Sequence, residues 1–180
     1  MKDLTEKTLV KNTVYAGKIL SVRNDVVLLP DGRESRREIV EHNGGSCVLA
    51  AENGRILFVK QFRYAAGEVL YEIPAGKLEK GEDPERTALR ELEEECGLIA
   101  RSAELLYETY PTPGYSEERI YIYRCSSFEK GKPHPDENEF LSAEWIGESE
   151  VKAMMRDGRI RDGKTLIALL HYFCGQAQAI

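Results

Sequence analysis

Three carboxylates, Glu91, Glu94 and Glu95, fall within five consecutive residues of a stretch that reads as helix. At ~100° per residue with Glu91 as origin, Glu94 lies near about −60° and Glu95 near about +40°, a wedge roughly 100° wide. Residues 76–98 hold eight carboxylates, and like charges three and four residues apart on a helix repel. The pattern puts no Lys or Arg at pairing distance inside the wedge: Arg86 and Arg90 belong to another face, with Glu93. A solvated acidic face is the plain alternative. A ligand set is the chemical one, because hard divalent cations such as Mg²⁺ take oxygen ligands and share them with phosphates. Ala75 and Gly76, just before the helix, offer little side chain, so a ligand can approach the backbone there.

Asp83 followed by Pro84 makes a good N-cap and first-turn pair, and Gly97 a good C′ residue, so the helix is expected over about 84–96. Leu89, Leu92 and Cys96 should form a buried stripe separate from the acidic wedge. Before the helix, residues 12–40 are rich in β-branched residues and read as antiparallel β-structure around the turn Pro30-Asp31-Gly32. The segment 46–63 is the clearest hairpin, closed at Glu52-Asn53-Gly54. Residues 68–76 form a further short strand ending in Pro-Ala-Gly.

After the helix, residues 102–128 read as two strands flanking a Pro/Gly-punctuated loop. Residues 129–140 form a polar loop without periodicity, 142–160 a strand and a short helix, and 163–176 an amphipathic closing helix. There is no regular β-α alternation and no internal repeat, which favours an α+β fold.

A length of 180 residues suits one main domain, and 42% hydrophobic residues are enough for a core. A net charge of −6 argues against a nucleic-acid partner, which would need a broad basic face. The N-terminus lacks a signal-type apolar run and no segment approaches spanning length, so a cytoplasmic protein with no membrane association is expected. Cys47, Cys96, Cys125 and Cys174 form no C-x-x-C pair and are expected as free thiols, mostly buried.

The spacing Gly76, Glu82, Arg90-Glu91-Leu92, Glu94-Glu95, Gly97-Leu98 resembles the Nudix box, G-x5-E-x7-R-E-U-x-E-E-x-G-U with U aliphatic, and agrees at every fixed position. "REIVEH", "VKQFR", "EIPAGKLEKGE", "TPGYSEE" and "DENEF" resemble the ADP-ribose pyrophosphatase branch over roughly residues 10–175. Pro113, sixteen positions after Gly97, matches that branch's downstream proline.

The resemblance implies an α+β, Nudix-type α/β/α sandwich with a mixed sheet over 41–180 and a small antiparallel β segment over 1–40. It also implies a hydrolase that splits the pyrophosphate of a nucleotide sugar, ADP-ribose in the first instance, with Mg²⁺ or Mn²⁺ as cofactor. GDP-mannose is the rival substrate, and a non-catalytic sensor the rival class.

By the same resemblance Glu91, Glu94 and Glu95 hold the metal with the Ala75 carbonyl. Arg90 ties helix to loop, while Glu82 supports either the metal shell or the loop. Arg37 and Arg63 resemble the substrate-contacting arginines, since guanidinium forks suit phosphate oxygens and stack on bases. Glu72 is placed to accept from the adenine or ribose, and Glu118 lies near the ribose phosphate. The base is expected from the 129–140 loop as Glu137, with Glu139 its rival. His134 reads as solvated, and His42 and His171 receive no role. The 1–40 segment implies a homodimer, because an isolated hairpin is marginal in water.

Overall fold

The computed structural model describes residues 3–135 and 139–177. The chain forms two compact units. The first comprises the residues up to Gly44 together with Tyr110–Arg119, and the second comprises the remainder.

In the first unit, β1 (Lys7–Val10), β2 (Thr13–Ala16), β3 (Leu20–Leu28) and β4 (Glu34–His42) form an antiparallel sheet. One edge of β3 is shared, its C-terminal half pairing with β1 and its N-terminal half with β2, while β4 runs along the other edge. The antiparallel β-structure expected over 12–40 holds one further reversal, at Gly17, whose N–H donates to the Leu20 carbonyl at 2.9 Å. The 110–119 segment joins this unit through Val40, which donates to the Tyr115 carbonyl and accepts from the Glu117 N–H. Buried Arg23 locks the arrangement, bonding Asp25, Glu41 and Glu117. A buried guanidinium needs such partners, since an unpaired one is strongly disfavoured.

The second unit contains β5 (Gly45–Glu52), β6 (Arg55–Arg63), β7 (Glu68–Glu72), β8 (Ala75–Lys77), α1 (Pro84–Cys96), β9 (Leu98–Ile99), β10 (Glu104–Thr109), β11 (Ile120–Cys125), β12 (Glu129–Lys130), β13 (Leu141–Gly147), α2 (Glu148–Arg156) and α3 (Gly163–Ala177). Its main sheet runs β10-β11-β5-β6-β13, with β7 on β6 and β8 on β5. The β11–β5 pairing is parallel and the others are antiparallel, which makes the sheet mixed.

Alternation along β5 builds two cores. Cys47 and Leu49 pack with Ile56, Phe58, Ile73 and the α2–α3 residues Val151, Met154 and Leu169. Val48 and Ala50 face the other way, onto Ala88 and Leu92 of α1. Successive strand side chains point to opposite faces, so this apolar run must be covered on both sides. The result is the expected helix–sheet–helix sandwich. Truncating fully buried Leu92 to Ala should cost about 2–5 kcal/mol.

Candidate active site

Helix α1 begins where the sequence indicates. Asp83 Oδ1 accepts the Arg86 N–H at 3.1 Å, and Gly97 sits in the left-handed region at φ 65°. A side chain at Gly97 is excluded twice over, because its Cβ would also lie 2.7 Å from the Pro133 nitrogen.

The helix does not separate acidic wedge from buried stripe. Its buried residues are Thr87, Ala88, Glu91, Leu92 and Glu95. Glu91 is 7% exposed and Glu95 4%, whereas Leu89 and Cys96 are only half-buried. Two carboxylates thus lie under the sheet margin beside the apolar core. Burial disfavours their charged forms, and their mutual repulsion adds to it. Burial, with the charges of Glu91 and Glu139, pushes Glu95 up to about 8 although the Ala75 N–H and Arg63 oppose it. Glu91 is also raised, chiefly by burial, with Arg90 opposing.

Two backbone features receive these carboxylates. The Ala75 N–H donates to Glu95 Oε2 at 3.1 Å. A Cβ on Gly76 would sit 1.8 Å from Glu91 Oε1, so only glycine admits the carboxylate there.

The expected absence of a cation within the wedge is corrected by Arg90. Its Nη1 lies 2.8 Å from both Glu91 Oε1 and Glu94 Oε2, and its Nε 3.4 Å from Glu82 Oε1. Arg90 joins the wedge from the adjoining face because its long guanidinium arm reaches its i+4 neighbour. Glu82 also accepts the Glu79 N–H, which makes it a brace for the loop before α1.

Among the described residues no three acidic, His or Cys side chains converge as a ready metal cage, since Arg90 takes Glu91 and Glu94. The donor set still fits a hard divalent ion. It is all oxygen, and among the described residues Glu95 has no salt-bridge partner to offset its burial, only the Ala75 N–H and the more distant Arg63 charge.

Arg63 and Glu72 form a forked pair, Nε to Oε1 at 2.6 Å and Nη2 to Oε2 at 2.8 Å. Lys164 also donates to Glu72 Oε2. Burial works to raise Glu72, but these two cations prevail and hold it near 2. At 3% exposure Glu72 has its lone pairs largely taken by Arg63 and Lys164. Arg63 is 41% exposed at its side chain and bonds Glu72 through Nε and Nη2.

In the first unit Glu118 Oε1 lies 3.4 Å from His42 Nδ1, which accepts the Gly44 N–H at 3.0 Å. Arg37 is turned onto Glu6, Ser35 Oγ and its neighbour's carbonyl. Five residues of β4, at ~3.3 Å each, separate Arg37 from His42, so Arg37 and Glu118 are not brought together within one chain.

Glu137 lies outside the described residues. Glu139 is half-buried, and its charge reaches both Glu91 and Glu95. The stretch before it is anchored to the end of α1. The Gly131 N–H donates to the Gly97 carbonyl at 2.7 Å, and the His134 N–H to the Glu94 carbonyl at 2.8 Å. The short β12–β9 pairing extends this anchor, so half of the loop read as featureless is fastened beside the acidic residues.

Sequence reasoning missed Lys164. The available signal was a lysine in the first turn of a helix that holds no other Lys, Arg, Asp or Glu, at the dipole end that favours anions.

Comparison with known proteins agrees with this arrangement. A family described as the NUDIX domain matches residues 40–169, and one described as the nucleoside diphosphate sugar hydrolase N-terminal domain matches 6–40. The chain is 39% identical to an ADP-ribose pyrophosphatase of Bacillus subtilis, over 94% of this chain and 93% of that protein. It is 40% identical to a methanol dehydrogenase activator of Bacillus methanolicus, over 91% and 90%. A solved structure of an ADP compounds hydrolase shares the fold with TM-score 0.83 at 18% identity, covering 98% of each chain.

Proposed function

The chain belongs to the NUDIX family, and from that premise we propose that it is an ADP-ribose pyrophosphatase. Water attacks one phosphorus of ADP-ribose, the bridging P–O bond breaks, and AMP and ribose 5-phosphate leave. The printed name of the Bacillus subtilis relative supports the substrate. The observation that carries the chemistry is the buried pair Glu91 and Glu95 against the Gly76 backbone.

In this reading Glu91 and Glu95, with Glu94 and the Ala75 carbonyl, hold Mg²⁺, with Mn²⁺ as a substitute. When bound, the ion supplies charge neutralisation and Lewis acidity at the pyrophosphate. Arg90 keeps Glu91 and Glu94 oriented and ties them to the Glu82 loop. Arg63, held by Glu72, takes a phosphate oxygen or stacks on the base. Glu118, whose N–H donates to Ser116 Oγ at 3.1 Å, lies near the ribose phosphate. A carboxylate of the 131–140 loop, Glu139 or Glu137, accepts the proton of the attacking water and keeps bulk solvent out. The reach of Glu139 to Glu91 and Glu95 supports the first of the two.

A homodimer working in the cytoplasm completes the reading. Among the described residues no helix is long and apolar enough to cross a membrane. Leu9, Val10, Val14 and Tyr15 stand exposed on β1 and β2, an apolar surface that a second copy would cover.

The test is a panel of nucleotide sugars with Mg²⁺, read as kcat/KM with the products resolved by chromatography. ADP-ribose should be preferred over GDP-mannose and give AMP. Better turnover of GDP-mannose, or binding without turnover, would refute the proposal.

A further inference from the structure

We propose that Lys164 is a positioning residue for substrate binding: from the first turn of α3 it holds the Glu72 carboxylate, which holds the Arg63 guanidinium in its working orientation. The inference rests on the proposed role of Arg63 at the substrate.

Three observations carry it. First, the location suits a lysine only through its carboxylate partners, because Glu72 and Asp162 outweigh the burial that opposes its charge. Its side chain is 15% exposed, and it stands where the helix dipole disfavours a cation and burial strips its hydration. The docking of α3 does not call for it either, because the Thr165 hydroxyl already accepts the Ile73 N–H at 2.9 Å. Asp162 caps the same helix, accepting the Thr165 N–H at 3.0 Å and its hydroxyl at 2.6 Å.

Second, the contacts form a chain with one end at the ligand side. Lys164 Nζ lies 3.0 Å from Asp162 Oδ1 and also bonds Glu72 Oε2. Glu72 Oε2 is shared with Arg63 Nη2, and Glu72 Oε1 takes Arg63 Nε. A carboxylate that accepts three such bonds has most of its lone-pair positions filled, so its plane cannot turn. A guanidinium bonded to it through two nitrogens is therefore fixed too. Exposure changes along the chain, from Glu72 at 4% and Lys164 at 15% to Arg63 at 41%.

Third, the charges balance only with Lys164 present. Arg63 and Lys164 offset Glu72 and Asp162. Without the ammonium the group carries a net negative charge and repels a doubly anionic pyrophosphate. Loss of Lys164 frees the Glu72 plane and worsens the local field together, and both effects weaken binding. Neither touches the bond being broken.

The experiment measures kcat and KM for ADP-ribose with Mg²⁺ on the full chain and on Lys164→Met and Lys164→Arg, with thermal denaturation of each. Lys164→Met should raise KM by about 10- to 100-fold, the range for losing a hydrogen bond between charged groups. Its kcat should stay within about threefold, the signature of binding lost equally from ground and transition states. Lys164→Arg, which restores the charge and the donor, should recover most of the KM.

A merely structural lysine would lower Tm and the active fraction while leaving KM alone, and that result overturns the inference. If Lys164→Met does not fold, Lys164→Gln keeps most of the stem and one donor, and its KM is judged in the same way. A wild-type chain that does not hydrolyse ADP-ribose refutes the proposed function. A wild-type chain that does, beside a Lys164→Met of unchanged KM, refutes this inference alone.

Discussion

The replacement Glu95→Gln should make the metal-free protein more stable while removing its activity. Glu95 is 4% exposed and lacks a salt-bridge partner among the described residues, and burial with nearby charges moves it from its ordinary 4.5 to about 8. Each tenfold change in proton affinity is worth ~1.4 kcal/mol, so ionised Glu95 costs at most about 5 kcal/mol of folding stability. Relaxation and water entry reduce that ceiling, and about 2–3 kcal/mol is the expected gain, roughly 4–10 °C in Tm.

The sign follows from linkage. Between pH 4.5 and about 8 the folded chain keeps a proton on Glu95 that the unfolded chain has released. Stability therefore declines as pH rises through that window. Glutamine has no proton to lose, so its advantage should be near zero below the window and full above it. The assay is thermal denaturation in EDTA at pH 4.5 and 8.5, repeated with excess Mg²⁺. Metal binds the folded wild type and stabilises it by mass action, so the order of the two proteins should reverse. Turnover of the variant should fall by at least about 10²-fold, because a ligand to the ion is lost. A variant less stable than wild type in EDTA at pH 8.5 would refute the reasoning, as would near-normal kcat at saturating Mg²⁺.

Gly76→Ala should lower kcat/KM by about 10²-fold or more, since its Cβ would lie 1.8 Å from Glu91 Oε1 and must expel that carboxylate; the stability cost, read by denaturant titration, should be about 1–3 kcal/mol. Arg63→Lys keeps the charge but loses the fork to Glu72, so KM should rise roughly tenfold with kcat little changed. Glu139→Gln and Glu137→Gln, compared in one assay, should show a kcat loss of ~10²- to 10⁴-fold for whichever is the base, with KM nearly constant. Light scattering at micromolar concentration should give a dimer mass, and a monomer there would count against the homodimer.

Much of the fold could be read from local rules because those rules agree with one another. Asp83, Pro84 and Gly97 bracket α1, and the structure starts and stops the helix at those residues. The hairpin around Asn53-Gly54 forms as β5 and β6, with Asn53 and Gly54 both at positive φ. Pairings made over long distances were not legible. The segment 110–119 could be read as a punctuated loop, but its hydrogen bonds to Val40 are decided by tertiary contact. The two-residue strands β9 and β12 carry too few side chains for any periodicity to show.

The site shows the same division at the scale of single atoms. Angular position on α1 groups Glu91, Glu94 and Glu95, because a helix repeats regularly whatever surrounds it. It cannot tell which of them the sheet covers, and that is what separates their chemistry. Glu94 remains half-buried beside Arg90, while Glu95 is enclosed with no salt-bridge partner among the described residues. The same limit explains Glu72. On sequence it is a strand carboxylate before a proline, equally suited to solvent or to a ligand. Its neighbours in space come from residues nine and ninety-two positions away, and the two cations they bring keep it charged and occupied. A buried acid surrounded by donors is fixed in place and fixes the group it holds. Arg63 is that group, and under the proposed function Lys164, distant in sequence, becomes part of the binding geometry.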